Sequence, residues 1–303
     1  MNSPNLLPRN PGPSWGYRFL LWAEHGWPQW LFRPALMAGT WVGLVFMTGQ
    51  RAHSRSYLAV VLGRPARLTE VWRHFFAFAE FLVLSLRAGQ GAPVRCQLEG
   101  DHAAAFDALI KSGQAALFGT FHVGASDLLG YLLSERGRHV TIIRQQVANS
   151  DDTQFLGERY GGRVSFLWVN DPATLLFELK AALDAGESLA LKCDRLQFSA
   201  RAETFDFLGA RRQFPFTIYH LAVLFDRPVV FCTAVSEGTA ANLRVHASPV
   251  FRPNQARDRE ENLRVARQHF QSVLAHLEGL LRQHPYLWFN FLPLNPEEPR
   301  VAA

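Results

Sequence analysis

Cysteine is scarce: Cys96, Cys193 and Cys232 are the only three in 303 residues and lie far apart. They form neither a disulfide framework nor a zinc-ligand spacing, so no metal is expected and a reduced, cytosol-facing environment follows. Cys193, beside Asp194, reads as a small buried residue rather than a nucleophile. The chain has no Walker phosphate loop and no Gly-x-Gly-x-x-Gly, which argues against a nucleotide enzyme. It also lacks a Gly-x-Ser-x-Gly elbow, so a hydrolase-type serine has little support, although Ser126 lies near His122 in sequence. No uncharged run reaches the ~20 residues of a membrane-crossing helix, and neither a repeat nor a low-complexity tract is present. Met1 to Ser14 has no apolar core and no small-residue cleavage site follows, so a cleaved signal peptide is not expected. Basic residues are not clustered and no nucleic-acid motif occurs, so nucleic acid is not an expected partner.

Aromatic residues, in contrast, are abundant. The 24 Phe and 8 Trp exceed what a soluble core ordinarily requires and suggest that some apolar surface meets lipid. A net charge of +5, carried mostly by Arg, fits an anionic membrane surface, a phosphorylated acceptor or an acidic carrier protein. The lipid signal concentrates near the N-terminus, where Trp15 to Trp22 is amphipathic and Ala35 to Met47 is almost uncharged. Being too short to span a bilayer, this stretch suggests an interfacial or re-entrant anchor, with Trp22, Trp27, Trp30 and Trp41 at the headgroup boundary; a buried helical hairpin is the alternative. Should it span, Arg51, Arg55, Arg64, Arg67 and Arg73 outnumber Arg9, Arg18 and Arg33 and place the remainder in the cytoplasm.

Residues 1–90 therefore read as an N-terminal helical, membrane-associating region, in which Leu68 to Leu86 keeps a helical apolar stripe. The Gly89-Gln-Gly91-Ala-Pro93 stretch marks the boundary to an α/β domain over 91–303. Strand-like runs at 115–121, 139–143, 163–169, 188–192, 204–208 and 228–235 alternate with helical segments at 103–112, 127–136, 172–185, 214–225 and 258–283. That alternation predicts a largely parallel central sheet flanked by helices.

His122 and Asp127 form a His-x-x-x-x-Asp pair directly after the run at 115–121, at the strand end where ligands bind in open α/β sheets. Residues five apart on a helix differ by roughly 140° in direction. The two can meet only if His122 lies in the turn and Asp127 in the first helical turn. His122 is then a general base and Asp127 the carboxylate that orients it, while backbone N–H groups at Gly124 to Ser126 could bind a developing anion. Arg144, Lys192 and Arg195 follow predicted strands and are candidates for phosphate contacts; Asp194 reads equally as an ion-pair partner of Arg195 or Arg144. His220, in an apolar helix, is a weak second candidate base.

The order of these marks, together with the N-terminal apolar segment and Pro285-Tyr-Leu-Trp288, resembles the bacterial lipid A biosynthesis acyltransferases of the lysophospholipid acyltransferase superfamily over about Trp15 to Pro296. The resemblance implies an acyltransferase without a cofactor, in which the His/acid pair deprotonates an acceptor hydroxyl that attacks the thioester of acyl carrier protein or acyl-CoA. It further implies a lipid or glycolipid acceptor and a place at the cytoplasmic face of the bacterial inner membrane, peripheral or with a single short anchor. Arg144 and Asp194 carry over as further active-site residues. Phe205 to Gly209 and Arg211 to Pro215 resemble the part leading into a helix that lines the acyl pocket, with Thr217 and Tyr219 near the site. Two departures bear on the acceptor. Trp288 is followed by Phe-Asn-Phe where the family usually has His-Arg-Arg-Phe, and the pair ends in Asp127 where a Glu is common. The expectation is therefore O-acylation, with N-acylation open, of an envelope lipid or glycolipid. A late lipid A acyltransferase and a non-catalytic lipid-binding or scaffold protein of the same fold are the alternatives.

Overall fold

The apolar run before His122 forms the central strand of a seven-stranded sheet. A computed structural model describes residues 14–144, 164–168, 172–196, 201–236 and 242–295. The sheet comprises β1 (Arg95–Glu99), β2 (Leu117–Thr120), β3 (Val140–Arg144), β4 (Val164–Trp168), β5 (Ser188–Lys192), β8 (Val229–Ser236) and β9 (Asn242–Ala247), in the order β1-β9-β8-β2-β5-β3-β4. All neighbours are parallel except β8 and β9. Every residue of β2 is buried, as expected for a parallel strand covered on both faces. Onward connections from β2 and β8 run to opposite sides, so the C-terminal end of β2 lies at a topological switch point.

Alternate residues of β2 point to two cores. Leu117 belongs to one that includes Leu189, Phe231 and Phe270, built with helices α7 (Pro172–Asp184), α8 (Thr217–Phe225) and α9 (Arg259–Gln283). Phe118 belongs to the other, with Phe106, Leu109 and Leu132 from α5 (Ala103–Lys111) and α6 (Leu129–Glu135). Gly119 is required by close packing, since a Cβ there would stand 2.4 Å from the Phe231 ring. The α/β architecture with a mostly parallel sheet and helices on both faces is thus as the sequence pattern anticipates.

Three strands were not anticipated. β1 and β9 are half-exposed and mix polar with apolar residues, so a search for continuous apolar runs passes over them. β7 (Ala210–Pro215) pairs antiparallel with β6 (Ala202–Phe207) in a separate two-stranded hairpin, which corrects the reading of 204–208 as a strand of the central sheet. Leu208 and Gly209 both adopt positive φ at its turn, the conformation of a tight two-residue hairpin connection. Phe214 pairs with Glu203 in this hairpin, so the helix expected from 214 begins only at Thr217.

The N-terminal region folds as α1 (Ser14–Gly26), α2 (Gln29–Phe46), α3 (Thr48–Leu62) and α4 (Leu68–Gly89). Helix α3 stops at Gly63 in the left-handed conformation, and Glu70 accepts a 2.7 Å hydrogen bond from the backbone N–H of Arg67 at the start of α4. Leu44, Tyr57, Leu58, Val61, Val71 and Phe75 belong to the same core as Leu117 and Phe231, so helices α2 to α4 share the interior of the α/β part. Among the described residues no single helix is long and apolar enough to cross a membrane; Trp30–Phe46 and Thr48–Leu62 meet that standard only as a pair bent by 98°.

Candidate active site

Parallel register places the central residues of the site. Leu117 to Thr120 of β2 pair with Leu189 to Lys192 of β5, and the ladder continues with Cys193 N–H donating to the Thr120 carbonyl at 2.8 Å. His122 and Asp194, each two residues beyond its strand, are thereby brought side by side at the carboxyl edge of the sheet. His122 Nδ1 lies 2.7 Å from Asp194 Oδ1, and the His122 backbone N–H donates to Oδ2 at 2.9 Å. Trp288 Nε1 donates to the same Oδ2 at 2.8 Å. The Asp194 side chain is 0% exposed and that of His122 is 19% exposed.

Burial pushes the Asp194 carboxyl upward, but the facing His122, its hydrogen bond, Arg195 and the Trp288 N–H together outweigh that effect and hold it ionised, below the usual carboxylate range. An ionised carboxylate only accepts, so Nδ1 of His122 carries the proton and Nε2 keeps its lone pair. Burial pushes the His122 pKa down; Lys192 and Arg195 add to that, against the pull of Asp194. A neutral imidazole that keeps the Nε2 lone pair can accept a proton. Among the described residues nothing hydrogen-bonds to Nε2.

The carboxylate that holds Nδ1 is therefore Asp194, where the sequence reading places Asp127. Asp127 is 52% exposed, and its Oδ1 lies 2.5 Å from Lys192 Nζ. It is the middle residue of the short 3-10 turn Ser126–Leu128, and its carboxylate meets Lys192 of β5 rather than the imidazole. Lys192 also donates to Ser126 Oγ at 3.3 Å, and that hydroxyl in turn donates to the Phe121 carbonyl at 2.5 Å. Ser126 is thus tied to the backbone and not to His122, so no Ser–His nucleophile is formed.

The backbone N–H groups at 124–126 are likewise committed. Gly124 N–H donates to Leu287 O, Ala125 N–H to Ala234 O and Ser126 N–H to Val123 O. This corrects the expectation that they bind an anion. Gly124 itself is demanded by the turn: its φ is +54°, and a Cβ there would lie 2.2 Å from the Ala234 carbonyl oxygen.

Arg195 remains beside the pair. Its guanidinium makes long contacts of 3.3 Å to Asn290 Oδ1 and 3.5 Å to the Phe289 carbonyl, with no ion pair among the described residues. Burial lowers its pKa, countered by Asp194 and Asp127. Arg144 ends β3, the strand beyond β5, on the same edge of the sheet. Thr217 heads α8, on an element separate from the His122–Asp194 cluster. His220, in the same helix, has a buried Nδ1 with no hydrogen-bond partner among the described residues and is not part of this cluster.

Sequence reasoning gave Trp288 only as a mark of resemblance and passed over His74 and Asn295. The Asn295 side-chain amide donates to the Asp194 carbonyl at 3.2 Å, fixing the loop that carries the carboxylate. A polar His in the apolar stripe of α4 is the one signal that could have singled out His74, which is fully buried. No protein-family model matches the chain and no curated protein matches it.

Proposed function

We propose that this protein is a membrane-associated acyltransferase that moves a fatty acyl group from an acyl thioester, carried by acyl carrier protein or CoA, to a hydroxyl of an envelope lipid or glycolipid. The observation that carries this reading is His122, held through Nδ1 by buried Asp194 at the carboxyl edge of the sheet, with no hydrogen bond to Nε2 among the described residues. Nε2 removes the proton as the acceptor oxygen attacks the thioester carbonyl. The tetrahedral adduct then collapses, the C–S bond breaks, and the imidazolium returns the proton to the departing thiolate, leaving an ester and a thiol. Asp194 fixes the tautomer and stabilises the imidazolium as it forms. Arg195, a half-buried cation without an ion pair among the described residues, suits the negative charge of the adduct or a phosphate of either substrate. Arg144 stands at the end of β3, on the same edge of the sheet. Asp127 and Lys192 neutralise one another at its rim.

Membrane association rests on the outer face of α1 and α2. Trp22, Trp30, Trp41, Val42, Val45 and Phe46 are exposed there, with Trp30 at 75% and Phe46 at 79%. Large apolar side chains exposed together on neighbouring helices suit contact with lipid or another protein. A peripheral or re-entrant seat on the cytoplasmic face of a bacterial inner membrane fits the apolar face, the Arg-rich charge and the reduced cysteines. The test is to incubate membranes holding wild-type or His122→Ala protein with labelled acyl carrier protein or acyl-CoA and to compare the extracted lipids by mass spectrometry. A lipid that gains one acyl group only with wild type supports the reading. Absence of any wild-type-dependent product with either donor refutes it and favours a non-catalytic lipid-binding protein.

A further inference from the structure

Trp288 joins the N-terminal helices to the His122–Asp194 pair through a continuous buried chain of hydrogen bonds. Its indole N–H reaches Asp194 Oδ2 at 2.8 Å, while its backbone carbonyl accepts from His74 Nε2 at 2.8 Å. Because a carbonyl only accepts, Nε2 of His74 carries the proton, and Nδ1 accepts from Ser54 Oγ at 2.8 Å. Ser54 and His74 are both 0% exposed and lie on α3 and α4. The rings of Tyr57 and Phe207 stand edge-on to the Trp288 indole at 5.1 and 5.7 Å. Beside Trp288 the backbone is pinned to the turn of the base: Phe289 N–H donates to His122 O at 2.7 Å, and Gly124 N–H donates to Leu287 O at 2.8 Å.

We propose that Trp288 and His74 are positioning residues for the His122 base, acting through the second oxygen of Asp194, so that α3 and α4 belong to the catalytic scaffold. This rests on the acyltransferase reading for its consequence in rate, but the geometry it asserts can be read without turnover. Each oxygen of Asp194 has a separate task. Oδ1 holds the imidazole, and Oδ2 is held by Trp288 and the His122 backbone N–H, which together prevent the carboxylate from rotating. The Trp288 carbonyl would be an orphaned buried acceptor without His74. Packing of the C-terminal segment against α3 and α4 thus helps to keep the indole aimed at the site. An α/β fragment cut at residue 90 would retain His122 and Asp194 and lose this control.

The indole N–H also stabilises the negative charge of Asp194. Removing it leaves more of that charge to the imidazolium, so the proton affinity of His122 rises. Lys192 and Arg195, the cations beside the ring, oppose protonation and are unchanged by the substitution. The experiment uses the full chain labelled with 15N-histidine, in wild-type, Trp288→Phe, His74→Phe and His74→Gln forms, with His122→Ala to assign the resonance. Wild type should show a low-field Nδ1–H proton absent from His122→Ala. In Trp288→Phe that proton should shift and the His122 titration should move upward by about one pH unit, a tenfold change in proton affinity. Transfer at saturating substrate should fall roughly a hundredfold, the scale of a misplaced reacting group, with its acid limb displaced by the same pH interval. His74→Phe should move in the same direction, and His74→Gln, which restores a donor, should recover most of the wild-type signal. If folded Trp288→Phe leaves the resonance and titration of His122 unchanged, the proposal is overturned; should that variant not fold, His74→Phe against His74→Gln makes the same decision. A wild type with the resonance and no transfer refutes the acyltransferase reading alone.

Discussion

Asp194→Asn separates the two carboxylates that compete for the role of partner to His122. The substitution keeps size and shape but removes the charge facing an imidazolium whose Nδ1 is 2.7 Å from Oδ1. Charge centres ~4 Å apart in a partly buried setting of effective dielectric about 20 attract by about 4 kcal/mol. Losing that stabilisation as the proton reaches His122 corresponds to roughly three powers of ten in rate. Loss of the Nδ1–H tautomer, which an amide no longer enforces, adds to this. Asp127→Asn, by contrast, removes an exposed ion pair with Lys192, and such pairs contribute about 1 kcal/mol or less. It should reduce transfer by less than about tenfold. Both are measured as initial rates of acyl transfer into extracted lipid at matched amounts of folded protein, verified by circular dichroism. Asp194 accepts from two further donors, so its variant should also be less stable, by about 1–3 kcal/mol in urea. An Asp127→Asn loss as large as that of Asp194→Asn, or an Asp194→Asn protein that transfers normally, would refute the assignment of Asp194.

Gly124→Ala must place a methyl group 2.2 Å from the Ala234 carbonyl in a left-handed conformation, and should cost at least about 2 kcal/mol in urea unfolding and most of the activity; a wild-type midpoint would show that the turn is not rigid. Replacing Trp30 and Phe46 by Ser should release the protein from anionic vesicles in flotation, because each buried aromatic contributes about 1.5–3 kcal/mol; unchanged binding would remove α2 from the membrane face. Stability should fall on acidification through His74, which burial pulls down to about 4 against its hydrogen bond to Trp288. Its contribution is complete above the unfolded value of about 6.5 and is lost as pH falls towards 4, by at most about 1.4 kcal/mol per pH unit. His74→Gln should therefore lose less of its urea midpoint between pH 7 and pH 5 than wild type, and an identical loss would contradict the buried neutral imidazole.

The sequence by itself determined the layered α/β architecture, because fully buried parallel strands must be continuous apolar runs and the helices between them must carry one apolar face. It also marked His122 and Asp194 as residues following such strands, since strand ends are where polar side chains return. β1 and β9 escape because half-exposed pairing at that side of the sheet needs no apolar run, and β6 reads as a strand of the central sheet because a strand's composition does not name its partner. The tertiary structure alone decided which carboxylate meets His122. Asp127 is five residues from His122 and turns away with the chain, whereas Asp194, 72 residues on, is delivered by the residue-for-residue ladder of β2 and β5. Only the packed chain could bring Trp288 to that carboxylate and His74 to Trp288, because hydrogen bonds between residues 94 and 214 apart in sequence leave no periodicity for the sequence to display.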